Sequence, residues 1–252
     1  MKKINYYKTF EDDFVQSEDQ DYVLPDDYKW IHNNIFYRII SNILYVVAYI
    51  FGFLYCKFIL KITIKNKKVL KKYKKQGIFI YGNHTQPIAD VFIPALICKS
   101  KRIYVIANPS NLKVKFIGKF LSMIGILPIP QKNSQMKEFI MAVNQRSKEK
   151  NAIITYPEAH VWPYYTKIRP FPTTAFKFAI ENNAPVFCTT TTYQKRKEGK
   201  KPKITIFVDG PFFVDEKLNK KENQEKLHSC VYNKMQERSA NSNYEYIEYK
   251  KQ

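Results

Sequence analysis

The chain has 252 residues and a net charge of +20, and 45% of its residues are apolar. This length and apolar content suffice for one large folded domain and exclude a wholly disordered chain. The charge favours an anionic partner, such as nucleic acid, anionic lipid headgroups or phosphorylated substrates, although a generally lysine-rich composition would also produce it. The four cysteines lie far apart and lack histidines at zinc spacing, so we expect no metal site.

The first thirty residues form an acidic segment. Residues 1–30 carry eight Asp and Glu residues against four Lys residues. This segment is either a flexible tail or a strap that folds back onto the basic remainder. No apolar stretch follows the first lysines before residue 30, so no signal peptide is predicted. Cys56, Cys98 and Cys188 lie in apolar runs, which fits a reducing location on the cytoplasmic side.

An apolar run and a lysine cluster follow in residues 31–75. The eighteen residues from Ile39 to Cys56 carry no charge, which is close to the ~20 residues needed to cross a bilayer. A spanning helix, an interfacial helix and a buried core helix all fit, and the tyrosines suit an interface. Seven lysines in residues 65–75 favour binding to anionic lipid, with a solvated helix face as the alternative. We therefore expect 31–75 to associate with the cell membrane, as a peripheral or single-pass element.

Residues 76–252 alternate short apolar runs with helical patterns. Strands are predicted at 77–82, 102–107, 125–129, 152–156, 185–190 and 203–208, and helices at 88–98, 114–124, 134–148, 173–182 and 216–238. This alternation predicts an α/β fold with a mainly parallel central sheet flanked by helices. We therefore predict one α/β domain, preceded by the acidic segment and by the N-terminal membrane-associating helical segment.

Two groups of polar residues directly follow predicted strands. His84 comes after the strand at 77–82, and Asp90 lies six residues further on. A carboxylate paired with an imidazole raises the basicity of the other ring nitrogen, and such a pair can deprotonate a hydroxyl. Glu158 and His160 follow the strand at 152–156, at what we expect to be the same edge of the sheet. A helix-end charge at Asp90 and a capping role for Glu158 are the structural alternatives.

Four short motifs resemble those of the glycerolipid (lysophosphatidic acid-type) acyltransferase family. Asn-His-Thr at 83–85 with Asp90 resembles the family's first motif, and Tyr-Pro-Glu at 156–158 resembles its Phe-Pro-Glu-Gly motif. Residues 125–131 resemble the motif between these two, and Ala-Pro-Val at 184–186 resembles the last motif. The four occur in the family's order over about half of the chain, so we identify the chain as a divergent member.

The resemblance implies a function in phospholipid or glycerolipid biosynthesis. His84 and Asp90 would form a general-base dyad that moves a fatty acyl chain onto a hydroxyl of a lysophospholipid-like acceptor. The donor would be a thioester, acyl-CoA or acyl-carrier protein, and no cofactor is implied. The resemblance also implies an N-terminal helical element that docks on the membrane, so the expected partners are the acceptor, the donor and an anionic membrane surface.

The chain departs from the family pattern at several positions. Five residues separate His84 from Asp90 where the family usually has four. The arginines that the family usually assigns to an acceptor phosphate are replaced, by Gln131 in one motif and within Ala-His-Val at 159–161 in the other. Lys and Gln do not reproduce the bidentate contacts of Arg. We expect the acceptor-binding residues to be Glu158, His160, Arg169, Gln131 and Lys132.

Two alternatives to a lysophospholipid-like acceptor remain open. The first is an acyltransferase that acts on a non-phosphorylated lipid, such as a glycolipid or an aminolipid. The second is a non-catalytic, basic protein that binds membranes or nucleic acid, for which steep salt dependence would be diagnostic. Recognisable RNA-binding motifs are absent from the sequence, so we do not expect nucleic acid as a partner.

Overall fold

The computed structural model describes residues 3–15, 21–199 and 201–252. The strands are β1 (Lys3–Tyr7), β2 (Thr63–Lys65), β3 (Ile78–Gly82), β4 (Ile103–Ala107), β5 (Ile126–Pro128), β6 (Ala152–Thr155), β7 (Val186–Gln194), β8 (Lys203–Phe212) and β9 (Ile247–Lys251). The α-helices are α1 (Ile35–Leu54), α2 (Ile93–Ile97), α3 (Gly118–Leu121), α4 (Asn133–Lys148), α5 (Lys177–Glu181) and α6 (Lys220–Ser239). Single 3₁₀ segments lie at Lys67–Tyr73, Ala89–Val91, Pro109–Lys113 and Thr173–Phe176, and a π-helical turn at Tyr55–Ile59 extends α1.

Seven strands form the central sheet in the order β2-β8-β7-β3-β6-β4-β5. Strands β7, β3, β6, β4 and β5 run parallel, β8 runs antiparallel to β7, and β2 pairs parallel to β8. Every residue of β3 is buried, as expected for a central strand covered on both faces. The predicted fold class, a mainly parallel sheet flanked by helices, is confirmed.

Each face of the sheet carries its own apolar core. Alternate residues of a strand point to opposite faces, so Phe79 and Tyr81 pack with α4, α5 and α6, whereas Ile78 and Ile80 pack with α2 and the inner side of α1. The buried residues of α6 include Leu227, Val231 and Met235, the three apolar positions that the sequence marks.

Three helices are shorter than the sequence pattern predicts, and three strands have no clear signal in it. The helix expected at 173–182 is a 3₁₀ segment followed by the five-residue α5. The helix expected at 88–98 is a turn, a 3₁₀ segment and the five-residue α2, and the one expected at 114–124 is reduced to the four residues of α3. Phe116 interrupts the latter pattern, because its φ of 66° lies outside the right-handed helical region. Strands β1, β2 and β9 are short, and they pair with residues that are distant in sequence. Local periodicity does not predict such pairing.

The acidic N-terminal residues fold back onto the domain. Residues 3–15, termed here the N-terminal strap, begin with β1, which pairs in parallel with β9. Further along the acidic segment, Leu24 and Trp30 are buried in the core beneath α4 and α6, and Trp30 Nε1 donates a hydrogen bond to Pro128 O at 2.9 Å. Residues 16–20, which contribute to the acidic composition, lie outside the described residues. The described part of the acidic segment therefore folds against the domain and is not a free tail.

Helix α1 lies along the domain with its apolar face outward. Contacts at three points along its length hold it: Ser41 Oγ donates to Met123 O (2.6 Å), Tyr49 OH donates to Ala95 O (2.9 Å), and Gly52 packs closely on Phe92. Ten apolar side chains of α1 are exposed: Ile35, Phe36, Ile39, Ile40, Ile43, Val46, Val47, Ile50, Phe51 and Leu54. Ile35–Ile59 is long and apolar enough to cross a membrane. Because only Ser41 and Gly52 of α1 are buried, it is not a core helix.

Candidate active site

His84 and Asp90 meet just beyond the end of β3. His84 Nδ1 lies 2.7 Å from Asp90 Oδ2, and the two side chains are 19% and 2% exposed. The carboxylate therefore binds the inner ring nitrogen, and Nε2 is the nitrogen that can take a proton from a substrate. The five-residue spacing thus permits the imidazole–carboxylate pair.

The turn between the two residues positions the carboxylate. Asp90 N donates to Gln86 O at 3.2 Å, and Gln86 N donates back to Asp90 Oδ2 at 2.9 Å. Burial raises the pKa of Asp90 above its usual value, while the hydrogen bonds from His84 and Gln86 act in the opposite direction. The closed turn accommodates the additional residue without moving the carboxylate away from the imidazole.

Tyr156, at the end of β6, contacts both members of the pair. Its ring stacks on His84, with 4.6 Å between ring centroids and 17° between planes, and its hydroxyl donates to Asp90 O at 2.5 Å. Strands β3 and β6 are parallel neighbours, which confirms that the two sequence motifs end at the same sheet edge. Gly82 permits the approach, because a Cβ there would lie 2.6 Å from Tyr156 Cε1.

Glu158 is buried and braces the loop that carries His84. Its Oε2 accepts a hydrogen bond from His84 N at 3.2 Å and from Arg169 Nη2 at 3.1 Å, and its Oε1 accepts from Arg169 N at 3.0 Å. Burial raises the pKa of the Glu158 carboxyl, and the Arg169 charge opposes this shift. The structure thus brings Glu158 and Arg169 beside His84 as an internal ion pair.

The N-terminal strap covers Arg169 and reaches His160. Arg169 is 1% exposed, and its guanidinium donates to Phe10 O and lies 4.8 Å from the ring centroid of Trp162. His160 lies 3.6 Å from a carboxylate oxygen of Asp13 and 3.9 Å from one of Glu11, both in the strap. Arg169 and His160, the two basic residues expected to bind the acceptor after the Tyr-Pro-Glu motif, therefore both contact carboxylates or carbonyls of the protein.

Gln131 and Lys132 contact the acidic segment at residues 22–26. Gln131 Nε2 donates to Tyr22 O at 3.3 Å, and Lys132 Nζ lies 2.5 Å from Asp26 Oδ1 in an exposed ion pair. Both contacts are made with the N-terminal segment, and neither is made with His84. Binding of an acceptor by Gln131 and Lys132 stays a prediction.

Two further residues fix the loop after β3: Asn83, which belongs to the Asn-His-Thr motif, and Tyr193, which the sequence pattern does not reveal. The side chain of Asn83 exchanges two hydrogen bonds with the main chain of Thr191, at 2.8 and 3.1 Å. The hydroxyl of Tyr193 contacts Thr85 Oγ1 at 2.7 Å and accepts from Gln86 Nε2 at 2.9 Å. Tyr193 ends a threonine-rich part of β7, where no local motif indicates a role in the site.

A surface depression lies elsewhere on the domain. A depression of 550 Å³ between the end of β8 and α6 is lined by residues 212–217 with Lys226, Leu227 and Cys230, and does not include the His84–Asp90 pair. Among the described residues, no group of three or more His, Cys, Asp or Glu side chains is arranged to hold a metal ion.

Comparison with known proteins identifies a family whose profile matches this chain and a solved structure with a similar fold. The profile of the Acyltransferase family matches residues 61–192. The structure is similar to the crystal structure of the 1-acyl-sn-glycerophosphate (LPA) acyltransferase PlsC from Thermotoga maritima, with 13% identity and a TM-score of 0.52. The similarity covers 81% of this chain and 98% of that chain, and at this identity it shows a shared fold. A search of curated protein sequences finds no significant match.

Proposed function

Because the chain belongs to the acyltransferase family, whose profile matches residues 61–192, we propose that it moves a fatty acyl chain from a thioester to a hydroxyl of a lipid acceptor. Family membership makes the protein an acyltransferase. The observation that supports the chemistry is the 2.7 Å contact between His84 and Asp90 at the carboxyl end of a central parallel strand. The thioester would be acyl-CoA or acyl-carrier protein.

The proposed mechanism uses His84 as the general base. Nε2 takes the proton of the acceptor hydroxyl, and the oxygen attacks the thioester carbonyl carbon. The carbon–sulfur bond then breaks, and the thiolate leaves with the proton that His84 returns. Asp90 keeps the Nδ1–H tautomer in place and stabilises the imidazolium that forms.

We propose that the reaction takes place at the cytoplasmic surface of the cell membrane. The exposed apolar face of α1 suits the boundary between headgroups and acyl chains, and all seven lysines of residues 65–75 are exposed for contact with anionic lipid. A spanning orientation would require α1 to leave the contacts that Ser41, Tyr49 and Gly52 make with the domain. The structure therefore favours a helix that lies in the interface.

A lysophospholipid-like acceptor, used in phospholipid biosynthesis, remains the leading proposal. Glu158, His160, Arg169, Gln131 and Lys132 are the proposed acceptor-binding residues. The side chains of His160 and Lys132 are 35% and 40% exposed, so a headgroup can reach them without a change in the core.

One observation favours a non-phosphorylated lipid as a second candidate acceptor. Arg169 pairs with Glu158, Lys132 pairs with Asp26, and His160 lies against the carboxylates of the N-terminal strap. Each basic side chain proposed to bind a phosphate thus already lies against a carboxylate of the chain. A neutral or amine-bearing headgroup would not have to compete with those carboxylates.

A transfer assay tests both proposals. Radiolabelled acyl-CoA and acyl-carrier protein are offered to lysophospholipids, lysophosphatidic acid, glycolipids and lyso-aminolipids. His84→Ala serves as the inactive variant, and His32→Ala, at a histidine that stacks on Tyr37, serves as the matched control. Transfer by the wild type and the control, and not by His84→Ala, supports the mechanism, and the labelled acceptor identifies the headgroup. If neither donor transfers label to any of the acceptors, the proposed reaction is contradicted.

A further inference from the structure

An exposed apolar loop lies between β4 and β5, on the domain beside α1. Residues 113–120, which include the first three residues of α3 and are termed here the Phe116 loop, expose four large apolar side chains: Val114 (44%), Phe116 (91%), Ile117 (55%) and Phe120 (39%). Phe116 is the most exposed large apolar side chain among the described residues. Exposed apolar side chains grouped in this way mark an interaction site more often than a solvated surface.

The backbone fixes the shape of the Phe116 loop. Gly118 N donates to Val114 O at 2.8 Å, and Phe120 N donates to Ile117 O at 2.9 Å. Phe116 lies at the tip with a φ of 66°, a conformation that is unfavourable for a bulky residue. The loop thus holds a phenylalanine outward at a backbone position where an aromatic residue is rare.

The flank of the loop is joined to the N-terminal half of α1. Arg102 Nη2 donates to both Ser41 Oγ at 2.7 Å and Met123 O at 2.8 Å, and Ser41 Oγ itself donates to Met123 O. Leu121 packs into the same core as the inner side of α1. The segment that follows the loop, at Met123, is therefore held against the N-terminal half of α1.

The charge around the loop points to a lipid surface. Lys113, Lys115 and Lys119 alternate with the apolar side chains, and the sequence contains no Asp or Glu between Asp90 and Glu138. An apolar tip with lysines at its base matches the acyl region and the anionic headgroups of one membrane leaflet.

We propose that the Phe116 loop is a second membrane-contacting element, which inserts Phe116 into the acyl region of an anionic bilayer while its three lysines contact the headgroups. This rests on the membrane association proposed for α1 and is independent of the acyl-transfer chemistry. Two separate contacts, α1 and the loop, fix the orientation of the domain on the membrane.

Fluorescence of a tryptophan at position 116 tests the insertion. The native tryptophans, Trp30 and Trp162, are 6% and 0% exposed, so they do not face lipid. On addition of phosphatidylcholine vesicles that contain phosphatidylglycerol, Phe116→Trp is expected to show a blue shift and to be quenched by brominated acyl chains. Met141→Trp is the matched control, because Met141 is 55% exposed on α4, which packs on the opposite face of the sheet. The control is expected to show neither change.

Vesicle sedimentation supplies the energetic test. Phe116→Ala is expected to weaken binding by about tenfold, the effect of one phenylalanine leaving the apolar phase. Each Lys→Gln change at 113, 115 or 119 is expected to weaken binding by about fivefold, and only when phosphatidylglycerol is present.

Three results would overturn the proposal. A Phe116→Trp protein that binds vesicles without a blue shift or quenching shows that the loop stays in water, and leaves the role of α1 intact. A wild-type protein that does not sediment with anionic vesicles removes both membrane contacts, whatever the result of the transfer assay. Loss of a lipid-free oligomer in Phe116→Ala, measured by light scattering, assigns the loop to a second copy of the chain.

Discussion

The hydroxyl of Tyr156 donates a hydrogen bond to the main-chain carbonyl of Asp90 while its ring stacks on His84. One side chain directly after β6 thus contacts both partners of the pair that follows β3. Since the proposed mechanism depends on the distance between His84 and Asp90, Tyr156 is a positioning residue for the general base.

Tyr156→Phe is expected to lower kcat by about fivefold with KM unchanged. The variant keeps the stacked ring and loses one hydrogen bond to a carbonyl, which is worth about 1 kcal/mol. Tyr81→Phe is the matched control, because Tyr81 on β3 also donates to a main-chain carbonyl, that of Ala175. Steady-state kinetics on both variants decide the point. Equal losses in the two variants would indicate a general structural effect, and no loss in Tyr156→Phe would remove its positioning role.

Asp90→Asn is expected to abolish most of the activity and to alter how stability depends on pH. The raised pKa of Asp90 means that its contribution to stability is present at acid pH and is lost as the pH rises through the folded-state pKa. The Tm of Asp90→Asn relative to the wild type is therefore expected to increase as the pH rises from the ordinary aspartate pKa of 3.8 through the raised folded-state pKa. Thermal unfolding at several pH values measures this. If the Tm of Asp90→Asn relative to the wild type instead falls as the pH rises, the pKa of Asp90 is lowered in the folded protein.

Ala159→Gly is expected to stabilise the protein by about 1 kcal/mol. Ala159 is exposed and has a φ of 61°, in the left-handed region that favours glycine, and the resembled family motif has glycine there. Denaturant unfolding measures the change. Ala240→Gly is the control, because Ala240 has a φ of −59° and gains nothing from glycine. Equal effects at the two positions would contradict strain at Ala159.

The strap carboxylates are expected to select against anionic acceptors. Glu11 and Asp13 place negative charge beside His160, so the double variant Glu11→Gln, Asp13→Asn is expected to lower KM for acidic lyso-lipids by a few-fold and to leave neutral acceptors unaffected. The transfer assay measures both classes of acceptor. A similar change in KM for both would indicate that the strap acts on folding and not on acceptor choice.

The local motifs indicated which residues meet beyond β3 and β6, but not which residues hold them in place. The order of strands and helices gave the parallel sheet, and the motifs at 83–90 and 156–158 are adjacent because parallel neighbouring strands end at one edge. The roles of Tyr156 and Tyr193 were not predicted, because each depends on pairing between residues more than sixty positions apart. Likewise, the burial of Arg169 depends on a strap that lies about 159 residues earlier in the chain.

The outward orientation of α1 could not be predicted from its composition alone. A run of apolar residues fits a core helix as well as a membrane helix. The residues that orient the helix are Ser41, Tyr49 and Gly52, which are small or carry a hydroxyl group. They lie on one side of α1 and face the domain. Their i, i+8 and i+11 spacing is a helical stripe, and it becomes informative only when the surface that it contacts is known.

The most direct test of the central claim is kcat/KM for acyl transfer by His84→Ala beside the wild type, with thermal unfolding to verify that the variant is folded. The proposed general-base role predicts a fall of about 10²–10⁴-fold in a folded variant. Activity within a few-fold of the wild type would show that His84 does not take the proton, and would contradict the mechanism.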